Sequence, residues 1–261
     1  MGRIKLTAKS HLLGNTLPLL LVFMVLISVI TLSGDFSLLV SYLFRIPALS
    51  ALVSTAFSYR MLRITLSVIG IVISALTVPP IVLGADRWFV LKATGEETRV
   101  RDVFYFFGIS RFLRSQSAFW YSFFIRAGVF LFFQFPAVCV FGVLYSSVKY
   151  GETAYAIVIS LLISGILLLL TGLVFYFIYS ADWIVYSYII VSDDTVSLHN
   201  AYILSSEFAK NNIGKICFLR LSFVPWWLLS VLVFPLFYVW GYYKQTFAVL
   251  AYENKNQDNP L

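Results

Sequence analysis

The stretch from Thr153 to Ala181, TAYAIVISLLISGILLLLTGLVFYFIYSA, decides the fold because its 29 residues include no charged side chain. A helix needs about 20 mostly apolar residues to cross a hydrocarbon core of about 30 Å. In lipid a helix satisfies all of its backbone hydrogen bonds within one segment, which an open strand cannot do. The sequence therefore predicts a membrane-spanning α-helix here.

Four further uncharged runs are long enough to cross, and they are Thr16 to Gly34, Ile64 to Ala85, Ala127 to Val148 and Leu221 to Tyr243. A sixth crossing, Phe234 to Tyr252, is expected if the last run breaks at Pro235 and the chain returns with Lys244 inside the membrane. The alternative is five spans with the C-terminal tail outside. Either count gives an all-α, polytopic transmembrane helical bundle.

The composition argues against a soluble fold, because 60% of the residues are hydrophobic and only 12% are charged. About a quarter of the residues are charged in soluble domains. The net charge of +7 comes from Lys and Arg in short segments between apolar runs rather than from one basic stripe. This pattern argues against nucleic acid as a partner. It favours the lipid bilayer, and it leaves protein partners and a homo-oligomer open.

Basic residues set the expected orientation. The N-terminal arm carries three Lys or Arg, and the segment from Asp86 to Ser117 carries six. Segments rich in Lys and Arg stay in the cytoplasm, so we expect both on that side together with Ser192 to Lys215. Six spans then place both termini in the cytoplasm. The first apolar run is too long for a secretory signal, so we expect a retained helix. Residues 1–253 are expected to form one membrane domain, followed by a polar tail at 254–261.

Two cytoplasmic segments are amphipathic and are expected to be interfacial helices, docked on lipid or on the bundle. The first is Arg99 to Arg114, with apolar residues at helical spacing that are Val100, Val103, Phe104 and Phe107. The second is a helix that Asp193 or Asp194 can cap and Gly214 can end. Its apolar stripe is formed by Leu198, Ala201, Tyr202 and Phe208. A partner-binding surface is the alternative for either segment.

Other residues predict local features of the bundle. Asp35 to Arg63 is expected to hold an interfacial or re-entrant helix. Pro79 with Pro80 is expected to kink or end the second span, and Gly165 and Gly172 are expected to allow close helix packing. Tryptophans near the predicted span ends are expected in interfacial belts, and they are Trp88, Trp120, Trp183 and Trp240.

Groups that carry catalysis or bind metals are scarce in this sequence. His11 and His199 each stand alone on a cytoplasmic segment, and Cys139 and Cys217 lie far apart without a C-x-x-C spacing. No motif of a zinc protease, a nucleophile elbow or a phosphate-binding P-loop is present. We therefore expect no enzyme activity, no cofactor, no metal site and no catalytic residue.

Ionisable residues at the ends of spans are the remaining candidates for function, because burying a charge in lipid is costly. Arg126 lies where the third span begins, Asp182 where the fourth ends and Arg220 just before the fifth, so all three are expected near the inner leaflet. They form the candidate polar cluster. The simplest interpretation is that the arginines reach lipid phosphates while the aspartate stays in the interface. The alternatives are a structural ion pair and part of an ion or substrate pathway.

The C-terminal third carries the most specific motifs in the chain. These are Asp193 with Asp194, then Ser205 to Asn212, Leu221 to Ser230 and Tyr243 to Tyr252, and the N-terminal motif Ala8 to Asn15 accompanies them. Together they resemble the bacterial integral membrane protein family catalogued as domain of unknown function 975. That family is similar to YciC-like proteins and to the membrane domain of some glycerophosphodiester phosphodiesterases.

The resemblance implies a six-span bundle in the plasma membrane of a bacterium, with both termini cytoplasmic. It transfers no catalytic or binding residue. Related sequences often have a glycine-containing turn between the last two helices, whereas this chain has Val233, Phe234 and Pro235 there.

The expected function is therefore that of a non-enzymatic membrane protein that acts by association with lipids or partner proteins. The alternative is a small transporter or permease component for a lipid-like or peptide-like substrate, with export or immunity roles included. An intramembrane enzyme is the third hypothesis. A polar cavity at membrane depth would favour the transporter, and a dry bundle would favour association.

Overall fold

The computed structural model describes residues 2–34, 56–150, 155–229 and 236–258, and every element within these ranges is a helix. In chain order the elements are α1 (Gly2–Leu13), α2 (Thr16–Gly34), α3 (Ala56–Ala93), the 3-10 helix η1 (Val100–Phe107), α4 (Ile109–Tyr150), α5 (Tyr155–Tyr179), the 3-10 helix η2 (Ser180–Trp183), α6 (Tyr186–Ser192), α7 (Leu198–Leu229) and α8 (Leu236–Asp258).

Three helical stretches are long and apolar enough to cross a membrane. They are Val68–Ala93 in α3, Ile109–Lys149 in α4, and Tyr155–Ser192, which joins α5, η2 and α6. The helices α1 and α2 add a fourth if they are taken as one broken span, since they meet at 89°. The described part of the chain thus has three to four spans by length and composition. The all-α class with three to four candidate spans is confirmed, and the six-span count stays a prediction.

Two predicted features lie outside the described residues. One is most of the expected re-entrant or interfacial helix between Asp35 and Arg63, of which only the end from Ala56 onward is described as part of α3. The other is the break in the last apolar run at Pro235. On either side of that break, α7 ends at Leu229 and α8 begins at Leu236.

The helices form two buried clusters in the half of the bundle that contains the end of α3. One cluster joins α1, α2, α3, α7 and α8, with residues of η1, η2 and α6, around Trp88 and Phe89. The other joins α3, η1, α4, η2, α6 and α7 around Phe106 and Ile190. Away from these clusters the apolar side chains are exposed, and only 11% of the most apolar stretch of α4 is buried. Lipid is the solvent that suits this exposed apolar surface.

Small residues let neighbouring helices approach, as the sequence predicted for α5. A Cβ atom added at Gly172 would lie 2.6 Å from the carbonyl oxygen of Phe133 on α4, and one added at Gly165 would lie 2.9 Å from the Phe141 ring. These contacts run in opposite order along α4 and α5, so the two helices are antiparallel. Pro79 and Pro80 do not end the helix, because α3 continues through them to Ala93, and a kink at this point stays a prediction.

The first amphipathic segment is shorter than predicted, and a different face is buried. The helix η1 ends at Phe107, and Ile109 already begins α4. Val103 and Phe106 are buried, whereas Phe104 and Phe107 are exposed. The reason is the 3-10 geometry, in which residues three apart share a face, so the predicted α-helical spacing was wrong. The segment docks on the bundle, where the Val103 backbone meets Gly84 of α3.

The second amphipathic segment also differs from its predicted ends. The Ser197 hydroxyl accepts a hydrogen bond from the Asn200 N–H at 3.2 Å and caps α7. The Asp193 carboxylate instead accepts bonds from the backbone and hydroxyl of Thr195, so the predicted cap was wrong. The helix is kinked at Asn212, whose φ of −125° and ψ of 18° are non-helical, two residues before the predicted end at Gly214, and it then continues to Leu229. Its predicted apolar stripe packs on the two clusters.

Candidate functional site

A cavity of about 340 Å³ lies between the two buried clusters. Its walls come from five parts of the chain, namely α3, α4, the stretch from the end of α5 through α6, α7 and α8. The charged side chains in these walls are Asp86, Arg126, Arg220 and Lys244. Positive groups therefore exceed negative groups by two. This is the candidate functional site of the described part of the chain.

An ion pair between α3 and α8 forms part of the cavity wall. The Lys244 ammonium lies 2.6 Å from the Asp86 carboxylate, whose side chain is only 3% exposed, whereas that of Lys244 is 26% exposed. A carboxylate at that depth needs a cation, because an unpaired charge in an apolar interior is very costly. The Tyr188 hydroxyl donates to the Lys244 carbonyl at 3.0 Å and fixes α8 against α6.

The Asp86 to Lys244 pair was not predicted. The sequence places Asp86 as the first residue after an uncharged run, which assigned it to a cytoplasmic segment, but α3 continues past it to Ala93. A signal was present in the sequence. Lys244 is the only charged residue between Leu221 and Tyr252, so a charge at this position needs a partner of opposite sign. Asp86 directly follows another uncharged run and could have been identified as that partner.

Arg220 binds the C-terminal end of α5. Its guanidinium donates to the Phe177 carbonyl at 2.8 Å and to the Ser180 carbonyl at 3.0 Å. It also donates to the Ser180 hydroxyl at 2.8 Å. These carbonyls lie where α5 passes into η2, at a helix end whose acceptors lack intrahelical partners and attract a cation. Arg220 therefore has a structural role in addition to its place in the cavity wall.

Arg126 is less constrained than Arg220. Within the described ranges, its hydrogen bond is from Nε to the Ser122 carbonyl on its own helix, at 3.3 Å. The residue is half-buried. Its planar guanidinium has five N–H donors, so this single bond leaves the fork of terminal nitrogens for another acceptor.

Asp182 does not share the cavity with the two arginines of the predicted cluster. Its backbone carbonyl accepts a hydrogen bond from the Ser205 hydroxyl, and its carboxylate faces Ser206 and Lys210 of α7. Among the described residues it forms no ion pair with Arg126 or Arg220. The structure thus brings the two arginines to one cavity and places Asp86 with Lys244 there instead of Asp182.

Three buried donors surround the cavity without a hydrogen-bond partner in the described part of the chain. They are the indole N–H of Trp183, the hydroxyl of Tyr186 and Nε of Arg220. The Trp183 and Tyr186 rings meet edge to face, with centroids 5.0 Å apart. Buried polar groups in native proteins are usually paired, so these three donors are exceptions among the buried groups of the described chain.

The tryptophans Trp88 and Trp183 are buried in the bundle, so the predicted interfacial belt was wrong for both.

A second polar cluster ties η1 and α4 to the turn before α7. Arg87 and Arg111 lie against the two faces of Tyr105, at 3.7 and 3.9 Å from the ring centroid. The Tyr105 hydroxyl donates to Asp194 at 3.1 Å, and Arg114 donates to three backbone carbonyls of residues 193–196. Every interaction here links one part of the chain to another, which indicates a structural role.

Metal-binding geometry is absent from the part of the chain that the structure describes, where no three His, Cys, Asp or Glu residues gather. Cys139 and Cys217 are both free thiols. No family model matches the chain, and no curated protein and no solved structure matches it either.

Proposed function

We propose that this chain is a non-enzymatic membrane protein that acts by binding a lipid-like ligand in the cavity between its helices. The observation that carries the proposal is the charge of the cavity walls, where Arg126, Arg220 and Lys244 face one carboxylate inside a bundle with apolar outer surfaces. A ligand with an anionic group and an apolar body fits both environments. The proposal specifies the expected association with lipids as binding of one lipid-like ligand in this cavity.

The chemistry of the cavity suits binding better than bond cleavage. The Asp86 carboxylate is neutralised by Lys244 at 2.6 Å, so it is a weak candidate for a general base. Arginine stays protonated in proteins and acts as a fixed donor of positive charge. These properties support a site that holds an anion without transforming it.

The proposed arrangement in the membrane has six passes with both termini in the cytoplasm of a bacterium. One observation supports it. The Asp86 carboxylate supplies a partner for Lys244, which removes the main objection to a sixth crossing. Membership of the family that the sequence resembles remains part of this proposal.

A second candidate is a permease component that moves such a ligand through the membrane. The observation that favours it is that five separate parts of the chain share the cavity, since transporter sites are typically built where several helices meet. Transfer of labelled lipid between the leaflets of proteoliposomes would distinguish transport from binding alone. A transporter should show such transfer, and a substitution that fills the cavity should block it.

A cavity-filling substitution tests the proposed function. Ser187 lines the cavity and is half-buried, so Ser187→Trp would occupy the ligand space. Ser110 is exposed at the start of α4, so Ser110→Trp is the matched control. Both variants would be purified in a neutral detergent, checked for wild-type thermal stability, and examined for bound phospholipid by native mass spectrometry.

We expect Ser187→Trp to lose about nine-tenths of the bound lipid, which corresponds to roughly 1.4 kcal/mol, and Ser110→Trp to retain it. A folded Ser187→Trp protein that keeps the wild-type amount of lipid would show that the cavity is not the binding site.

A further inference from the structure

We infer that Arg126 and Arg220 form a phosphate subsite for the headgroup of an anionic phospholipid. The inference rests on the proposed function and adds the chemical class of the ligand and the residues that select it. Of the three cations in the cavity, Lys244 is already committed to Asp86. The two arginines are therefore the cations that remain for an incoming anion.

The two arginines differ in what they offer a phosphate. Arg220 is fixed by three hydrogen bonds from its terminal nitrogens to uncharged acceptors, so it contributes mainly its positive charge. Arg126 keeps its terminal nitrogens, since its bond to Ser122 uses Nε. Guanidinium groups bind phosphate through parallel N–H···O bonds and are weakly hydrated, which favours them over lysine at such sites.

The depth of the arginines matches the level of lipid phosphates. Arg126 is 24 residues before the end of α4 at Tyr150, or roughly 36 Å at a rise of 1.5 Å per residue. Ser180, which Arg220 binds, is 25 residues beyond the start of α5 at Tyr155, or roughly 37 Å. A hydrocarbon core is about 30 Å thick. Helices that start at the far boundary therefore place both arginines in the headgroup region of the opposite leaflet.

The charge of the walls selects the headgroup. Positive groups exceed negative groups there by two, so the cavity attracts an anion and repels a choline or an amine. The apolar surfaces of α4 and α5 outside the cavity give the acyl chains a place to lie.

The test compares lipids in one membrane. Full-length protein would be placed in nanodiscs of equal phosphatidylglycerol and phosphatidylcholine, and the ratio of the two lipids retained after transfer to detergent would be measured by native mass spectrometry. The central variant is Arg126→Gln, because Arg126 has no bond to another helix in the described residues. Arg126→Lys keeps the charge. Arg101→Gln removes an exposed arginine on η1 that does not line the cavity.

We expect Arg126→Gln to reduce the preference for phosphatidylglycerol about tenfold, as loss of a charge-assisted hydrogen bond predicts. Arg126→Lys should keep much of the preference, and Arg101→Gln should keep all of it. If Arg126→Gln and Arg101→Gln lost the preference for phosphatidylglycerol equally, the preference would come from general surface charge, and the inference would be overturned.

Two further outcomes separate the inference from the proposed function. If Ser187→Trp abolishes lipid retention while Arg126→Gln leaves the preference intact, the cavity binds lipid but the phosphate subsite is wrong. Inorganic phosphate in excess should not displace the bound lipid, because the acyl chains add apolar binding that free phosphate lacks. Displacement by phosphate alone would assign the site to the free anion and overturn the lipid assignment.

Discussion

Replacing Lys244 by methionine tests the ion pair that joins α3 to α8. Attraction between unit charges 2.6 Å apart is about 6 kcal/mol at an effective dielectric constant of about 20, and desolvation offsets much of it. The Asp86 side chain is 3% exposed, so Lys244→Met leaves this carboxyl group buried without a cationic partner. Breaking a buried pair in this way costs about 3–5 kcal/mol.

Removing the charge of Asp86 instead should lower the free energy of unfolding much less. The Lys244 side chain is 26% exposed, and its flexible stem can carry the ammonium to water. We expect about 1 kcal/mol for Asp86→Asn, as for weakly coupled pairs. The double variant Asp86→Asn with Lys244→Met should resemble Asp86→Asn alone, since no buried charge remains. Lys244→Met should therefore be less stable than Asp86→Asn, and adding Asp86→Asn to Lys244→Met should restore stability.

The assay is thermal unfolding of the four proteins in one detergent at one scan rate, with Lys9→Met on the exposed face of α1 as the control. At about 2–4 °C per kcal/mol for a chain of this size, Lys244→Met should unfold about 10 °C below wild type and Asp86→Asn about 3 °C below. A Lys244→Met protein as stable as Asp86→Asn, or as the Lys9→Met control, would refute the reasoning about the buried carboxylate.

Two other predictions concern the packing of the bundle and its polar turn. A Cβ at Gly84 would lie 1.8 Å from the Val103 carbonyl oxygen, so Gly84→Ala should cost more than about 3 kcal/mol by overpacking and lower the folded yield in size-exclusion chromatography. Gly128→Ala meets nothing within 4 Å and should match or exceed wild-type stability; equal effects of the two changes would contradict the close approach. Arg114→Gln should cost about 2–4 kcal/mol, because three carbonyls lose a charged donor, and limited proteolysis should then cut near residues 193–196. Arg101→Gln serves as the surface control, and cleavage at the same rate in both variants would argue against this role.

The membrane class was predictable from the sequence because it follows from local composition. The uncharged run at Thr153 to Ala181 needs no partner to be recognised, and it contains all of α5 and the start of η2. The close contacts of Gly165 and Gly172 were also predictable, since small residues in a membrane helix permit close approach whatever the partner is.

The candidate site was only half predictable, because its partners are far apart in the chain. Arg126 and Arg220 were identified from their positions at span ends, and both line the cavity. Asp182 was grouped with them by its position at a span end, but it lies on η2 and faces α7 instead. Asp86 was assigned to a loop, because an uncharged run does not reveal that its helix continues for seven residues more.

The direct test of the central claim is the distance between a lipid phosphate and the Arg126 guanidinium in a bilayer. Protein with ¹³C-labelled arginine side chains would be reconstituted in phosphatidylglycerol-containing membranes, and ¹³C–³¹P dipolar dephasing would be compared between wild type and Arg126→Lys. We expect a dephasing component at about 4 Å, the separation of a hydrogen-bonded guanidinium and phosphate, that decreases in the variant, where Arg220 is the remaining arginine of the subsite. Identical dephasing in the two proteins would contradict a phosphate bound at this cavity.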